Sequence, residues 1–298
     1  VTWNAPFKTR FSPPPGYQAL QDEGREIWIR KGHEADLRNR GLLNPSELWE
    51  ETPDLGGQPT GRGEVLIIKG HRGEVAVRKY RHGGLLRRLT GDLFFFNYRP
   101  FQELVVTEEV KSAGVPTLDI LAAIIERRWG GWYRGYLITT YLATATDLIS
   151  YLDQEPQGER RRRVIEKTGE AVKRMHQAGI YHADLHLKNF LVGNRGQKVY
   201  LIDFDKSASF AHLSPSRRIK NLMRVDRSAE KLKRLGLSLT ERDERHFCRA
   251  YAAGDKEIRP YLKVYHERYR WYQLLYRWGW WIARVFYPRH RPWRKSAT

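Results

Sequence analysis

Short apolar runs punctuated by glycine dominate the first half of the chain, and helical periodicity dominates the second. Val65-Leu66-Ile67-Ile68 and Glu74-Val75-Ala76-Val77-Arg78 read as two strands of a hairpin, separated by the turn Lys69-Gly70-His71-Arg72-Gly73. From Arg99 to Ala113, Phe101, Leu104, Val105 and Val110 recur among charges, which predicts a helix stopped by Gly114. Gly135 to Tyr141 reads as a buried strand. Val164, Thr168, Ala171, Val172 and Met175 share one face of a helix predicted over 160–178, with Gly179 as its stop. A loop over 181–189 follows, then strands at Phe190-Leu191-Val192 and Val199-Tyr200-Leu201-Ile202. From about Ser214 the pattern is mostly helical. These elements predict an α+β, two-lobed chain, β-rich first and mainly helical second, with its boundary near Thr140–Thr144. The expected divisions are an irregular N-terminal arm over 1–55, an N-lobe over 56–142, a C-lobe over 143–260 and a tail over 261–298.

Composition narrows the classes. The chain has 298 residues, and a mean hydropathy of −0.66 suits a soluble globular protein. The longest clean apolar run, Ile120 to Ile125, is far short of the roughly 18 residues a membrane span needs. Val1 to Phe11 carry no apolar core of a secretory signal. Cys248 is the only cysteine, which excludes an intrachain disulfide and fits a reducing cytosol. Lys and Arg outnumber Asp and Glu by 53 to 34, a net charge of +19. That surplus points to nucleic acid, an anionic membrane or an anionic substrate, unless it is only a solvated basic surface.

The chemistry is concentrated in Tyr181-His182-Ala183-Asp184-Leu185-His186-Leu187-Lys188-Asn189 and in Leu201-Ile202-Asp203-Phe204-Asp205. The spacing is H-x-D-x-x-x-x-N, then a pair of strands, then D-F. Phosphoryl transfer calls for this set: one carboxylate to orient and deprotonate the attacking hydroxyl, and a second carboxylate with an amide oxygen to hold magnesium against the nucleotide phosphates. Asp184 is the expected base, and Asn189 and Asp203 are the expected metal ligands, all lining one cleft.

With these residues the chain resembles the protein-kinase-like fold. Within it the chain is most similar to the lipopolysaccharide core kinases, the Kdo/WaaP-like family, where Kdo is 3-deoxy-D-manno-octulosonic acid. Arg78-Lys79-Tyr80-Arg81-His82-Gly83-Gly84-Leu85 and Asn221-Leu222 with Arg224, Arg227 and Ser228 extend the likeness over roughly residues 60–230. The resemblance implies ATP and Mg2+ as cofactors. Gly61-Arg62-Gly63 stands where a nucleotide-covering loop belongs, so Gly61 and Gly63 are expected at the phosphates, although the third glycine of the usual loop is missing. Val75-Ala76-Val77-Arg78 aligns with the V-A-I-K strand, which puts Arg78 at the phosphate-holding lysine position. Alternation sends Arg78 and Lys79 to opposite faces, so only one enters the cleft, and Arg78 is favoured. Glu103 is its expected partner. Lys188 is expected to neutralise charge on the transferring phosphoryl group, and His182 to buttress the loop. Asp-Leu-His-x-x-Asn also resembles small-molecule phosphotransferases.

The segment 261–298 holds five of the ten Trp, six Tyr, nine Lys/Arg and one acid, Glu267. Lys263, Arg270, Arg277 and Arg284 recur every seven residues and form one drifting cationic stripe beside Trp271, Leu275, Trp278, Ile282 and Val285. This predicts an amphipathic helix suited to an anionic membrane surface, or one packed on the C-lobe. The reading is therefore an ATP-dependent kinase of Kdo in the lipopolysaccharide inner core. Its expected place is peripheral, on the cytoplasmic face of a Gram-negative inner membrane, with a lipid-linked anionic sugar as partner and no nucleic acid. The alternatives are a heptose kinase, a tyrosine kinase, a small-molecule phosphotransferase or a membrane-docking pseudokinase.

Overall fold

The computed structural model describes residues 12–51, 64–70, 73–81, 91–95 and 98–264. The expected nucleotide loop with Gly61 and Gly63 lies outside the described residues, as does nearly all of the basic aromatic tail. The chain divides into two compact units, residues 1–145 with 200–208, and residues 146–199 with 209–298.

The first unit is built on a twisted antiparallel sheet. Its strands are β1 (Tyr17–Asp22), β2 (Arg25–Arg30), β3 (Glu64–Ile68), β4 (Val75–Lys79), β5 (Phe94–Phe95), β6 (Ile120–Arg127) and β7 (Trp132–Thr140). The spatial order is β1-β2-β6-β7-β4-β3, with β5 added to β7. Among the described residues of the unit, helices α1 (Glu34–Asn39), α2 (Pro45–Glu51) and α3 (Arg99–Ser112) accompany the sheet. Two apolar layers form because successive side chains in a strand alternate faces. Ile27 and Ile29 of β2 join Val75, Val77, Ile124 and Ile138 in one layer, which Leu37 and Leu42 cover. Trp28, between them, joins Phe101 and Leu104 of α3 in the other. Its ring stacks on Phe101 at 4.1 Å and 2°.

The sheet takes in the stretch expected to be an irregular arm. β1 and β2 pair in full register from Tyr17–Arg30 to Asp22–Arg25, and β2 pairs with β6. The apolar signal of β2 is only Ile27-Trp28-Ile29, set among charges, so its burial depends on a neighbour ninety residues away. β6 was missed as a strand for the opposite reason. It is buried on both faces, so it shows a continuous apolar run and no alternation.

The second unit holds β8 (Thr146–Asp147), α4 (Leu148–Gln154), α5 (Glu159–Gln177), β9 (Ile180–Tyr181) and β10 (Phe190–Gly193). β11 (Lys198–Leu201) carries the chain back towards the first unit, and β12 (Ala208–Ser209) precedes α6 (Pro215–Arg234) and α7 (Glu241–Ala252). Asp147 caps α4 by accepting the N–H groups of Ile149 and Ser150 at 3.0 and 3.1 Å. α5 buries Val164, Thr168, Ala171, Val172 and Met175, the face read from the sequence. Against it packs α7, which Thr240 and Asp243 start with a reciprocal capping box. No described helix is long and apolar enough to cross a membrane.

Candidate active site

In the first unit, β4 and α3 position one cluster. Alternation along β4 places Arg78 on the face opposite Val75 and Val77, the same face as Tyr80 just beyond the strand. Arg78 is joined there to the buried Glu103 of α3. Its other amino group donates to Asp203 Oδ1 at 2.7 Å. Lys79 takes the opposite face and pairs with Asp92 at 2.5 Å. The structure thus brings Arg78, Glu103 and Asp203 together and turns Lys79 away from them.

Tyr80 belongs to the same cluster and had no assigned role from sequence. Its hydroxyl receives a hydrogen bond from Arg78 Nη2 at 3.1 Å and donates to Glu103. The Arg78 guanidinium also lies over the Tyr80 ring, 4.8 Å from its centre. Burial drives the Tyr80 hydroxyl and the Glu103 carboxyl above their ordinary values. Burial also disfavours the Arg78 cation, but Glu103, Tyr80 and Asp203 outweigh it and fix the charge.

The Asp-Phe-Asp segment is tied down at both ends. Leu201 donates its N–H to the Pro116 carbonyl at 2.9 Å. Asp205 receives both branches of Arg99, the first residue of α3, with Arg99 Nε to Asp205 Oδ1 at 2.8 Å. Arg99 lies over Phe94 at 4.7 Å and over Tyr80 at 5.4 Å. Asp203 itself is held at φ +64°, a left-handed conformation that is uncommon for a non-glycine residue.

In the second unit, the loop over 181–189 follows Gly179 and positions Asp184, Lys188 and Asn189. His182 is fully buried and acts as the loop's internal strut. Its Nδ1 accepts the Asp184 N–H at 3.2 Å. Asn221 of α6 clamps its backbone, accepting the His182 N–H at 3.2 Å and donating to the His182 carbonyl at 2.7 Å. Asn189 is buried and donates its amide Nδ2 to the Asp184 carbonyl at 2.8 Å. That bond fixes the amide and leaves Oδ1 without a partner among the described residues. The Asp184 carboxylate is half exposed, 3.7 Å from His186 Nε2, beyond hydrogen-bond reach, and accepts no hydrogen bond among the described residues. Lys188 is exposed.

A buried relay supports the clamp. Arg218 Nε donates to the Tyr251 hydroxyl at 3.0 Å. The Tyr251 hydroxyl lies 2.7 Å from His176 Nδ1, and His176 Nε2 lies 2.9 Å from Asn221 Oδ1. Asn221 Oδ1 can only accept, so His176 carries its proton on Nε2 and receives the Tyr251 hydrogen at Nδ1. Burial pushes the His176 imidazole down to about 3, so it stays neutral. Sequence gave no role to His176 or Tyr251, because their partners lie 45 and 75 positions apart in the chain.

A family model described as "Lipopolysaccharide kinase (Kdo/WaaP) family" matches residues 46–251. A protein named 3-deoxy-D-manno-octulosonic acid kinase from Vibrio cholerae is 30% identical over 220 residues, covering 72% of this chain and 89% of that protein. Proteins of the same name from Vibrio parahaemolyticus and Pasteurella multocida are 32% and 31% identical over 218 residues, and the chain covers 88% and 89% of them. Among solved structures, "WaaP in complex with acyl carrier protein" superimposes with a TM-score of 0.56 at 20% identity, over 82% of this chain and 95% of that one, and shares its fold.

Proposed function

The chain belongs to the lipopolysaccharide kinase (Kdo/WaaP) family, and on that premise we propose that it transfers the γ-phosphoryl group of ATP to a hydroxyl of a lipid-linked 3-deoxy-D-manno-octulosonic acid. One observation carries the reading. Asp184 presents a half-exposed carboxylate that accepts no hydrogen bond among the described residues, on a loop braced by His182, Asn189 and Asn221. A carboxylate so held can orient the acceptor hydroxyl and take its proton as the phosphoryl group transfers.

The other groups take complementary tasks. The Asn189 amide oxygen and the Asp203 carboxylate are hard oxygen donors of the kind magnesium takes beside phosphate oxygens, and they would hold Mg2+. When bound with ATP, that ion would supply positive charge against the nucleotide phosphates. Arg78 contributes a permanent cation to the nucleotide phosphates, and Glu103 with Tyr80 fixes its direction. Lys188 is a point charge available to the moving phosphoryl group. Gly61 and Gly63, outside the described residues, belong to the loop assigned to cover the phosphates.

Action on a lipid-linked substrate would put the enzyme peripherally on the cytoplasmic face of a Gram-negative inner membrane. The net charge of +19 and the Trp- and Arg-rich segment after residue 260 support attraction to anionic lipid.

The test is mass spectrometry of Kdo–lipid A precursors incubated with MgATP and either the native protein or Asp184→Ala. One added phosphate on Kdo is expected with the native protein and none with the variant, whose melting curve stays native. Phosphate on heptose, tyrosine or a free small molecule would move the assignment to that acceptor. Failure to bind MgATP would make the protein a docking pseudokinase.

A further inference from the structure

We infer that Arg224 is the residue that recognises the carboxylate of the acceptor sugar. Residues three and four apart on a helix share a face, so Asn221, Arg224 and Ser228 lie in one row along α6. The two ends of this row are fastened to the loop that carries Asp184. Asn221 holds the backbone of His182, and Ser228 Oγ receives the Leu187 N–H at 3.3 Å. Arg224, one turn from each anchor, is therefore held beside the stretch of loop from Ala183 to His186.

Its charge is not spent on any of the described residues. Elsewhere on α6, Arg218 pairs with Asp255 at 2.5 Å, and Arg234 pairs with Glu230 at 3.2 Å. Arg224 pairs with no carboxylate among the described residues, Asp184 included, and its Nε is buried without a hydrogen-bond partner. A second donor-capable atom on the same loop, His186 Nδ1, is buried and has no hydrogen-bond partner among the described residues. Leaving a dehydrated guanidinium N–H unsatisfied is unfavourable, and the group that satisfies it best is a planar anion able to take two parallel N–H bonds. A carboxylate has that shape.

This inference rests on the proposed function and deepens it. The sugar in the relatives' name is an acid, carrying a carboxylate and several hydroxyls on one small ring. A guanidinium gripping the carboxylate fixes the ring's rotation and selects which hydroxyl meets Asp184, so Arg224 is a specificity-determining residue. A phosphate of the nucleotide is the other anion such a group could hold, and the kinetics tell the two apart.

The experiment compares a Kdo–lipid acceptor with its carboxamide analogue, in the native protein and in Arg224→Gln, with KM measured separately for acceptor and ATP. For the native protein, kcat/KM falls about 10- to 100-fold on the amide. Arg224→Gln shows a similar loss on the acid, little further loss on the amide, and an unchanged KM for ATP. Native protein that uses acid and amide equally well overturns the inference, whatever the variant does. So does Arg224→Gln that raises KM for ATP while keeping its preference for the acid. Native protein that phosphorylates neither acceptor removes the proposed function, and the inference falls with it. That result is distinct from active protein indifferent to the carboxylate.

Discussion

Arg78 and Asp203, 125 positions apart in the chain, meet through Nη1 and Oδ1 at 2.7 Å, while the second amino group of Arg78 faces Glu103 and Tyr80. One planar guanidinium therefore spans the strand, the helix and the Asp-Phe-Asp segment. A lysine ammonium is a single point and cannot hold two carboxylates in this fork. Arg78→Lys should keep the fold but lower kcat/KM for ATP by about tenfold or more. Arg78→Ala leaves Glu103 buried and uncompensated, and should cost about 3 kcal/mol of stability as well. Steady-state kinetics and thermal melting of the two variants check this; a fully active Arg78→Lys would show that the fork is dispensable.

Arg99 and Asp205 form the second tie on the same segment. Both side chains are largely buried, and the contact is two-pronged, so it is worth more than a surface pair. Its proposed task is to keep Asp203 in its left-handed conformation beside Arg78. Arg99→Gln and Asp205→Asn should each raise the Mg2+ concentration needed for half-maximal rate. In a double-mutant cycle by denaturant midpoint they should couple by about 1–2 kcal/mol. Additive effects on both readouts would leave the pair with no positioning role.

The local pattern carried the loop over 181–189 and the strand with Arg78, because spacing and period-two alternation are properties of neighbouring residues. The resemblance to the V-A-I-K strand also pointed from Arg78 to Glu103, on the helix after the hairpin. The local pattern did not reach Tyr80, the Arg99–Asp205 tie, or the relay from Arg218 through Tyr251 and His176 to Asn221. Each of these depends on side chains brought together from distant parts of the chain, with no periodic trace. One signal was available: an acid at the third position of Asp203-Phe204-Asp205 calls for a cation. The hairpin β1–β2 escaped for a related reason, its burial being supplied by β6.

The neutral His176 makes the second unit sensitive to acid. Its imidazole sits at about 3 in the folded chain, against 6.5 when unfolded. Between those values the unfolded chain binds a proton that the folded chain does not. Stability from this group is complete above about pH 6.5 and is lost as pH falls towards 3, by up to about 1.4 kcal/mol per pH unit. Thermal melting between about pH 7 and pH 4.5 should fall more steeply for the native protein than for His176→Gln. Parallel curves would show that the imidazole takes up its proton without unfolding. Among the described residues, Tyr251, Arg218 and Asn221 surround it and no carboxylate is in contact to hold that proton.

Gly179, just before the loop over 181–189, separates two effects of a methyl group. Its φ is +79°, and an added Cβ would come within 1.9 Å of the Phe210 carbonyl oxygen, a backbone atom that cannot swing aside. The same glycine accepts the Phe210 N–H through its own carbonyl at 3.0 Å, so retreat would break that bond. Gly254 has a similar φ of +71° with nothing within 4 Å of the added carbon. Gly254→Ala should then cost only the left-handed conformation, about 1 kcal/mol. Gly179→Ala adds overpacking to that, for a total of about 3 kcal/mol, and displaces the loop that carries Asp184. Paired melting curves and kcat measurements decide it. Equal losses at the two sites would mean that conformation alone governs both glycines. A larger loss at Gly179, accompanied by a fall in kcat, would show that the close approach to Phe210 sets the position of the loop with Asp184.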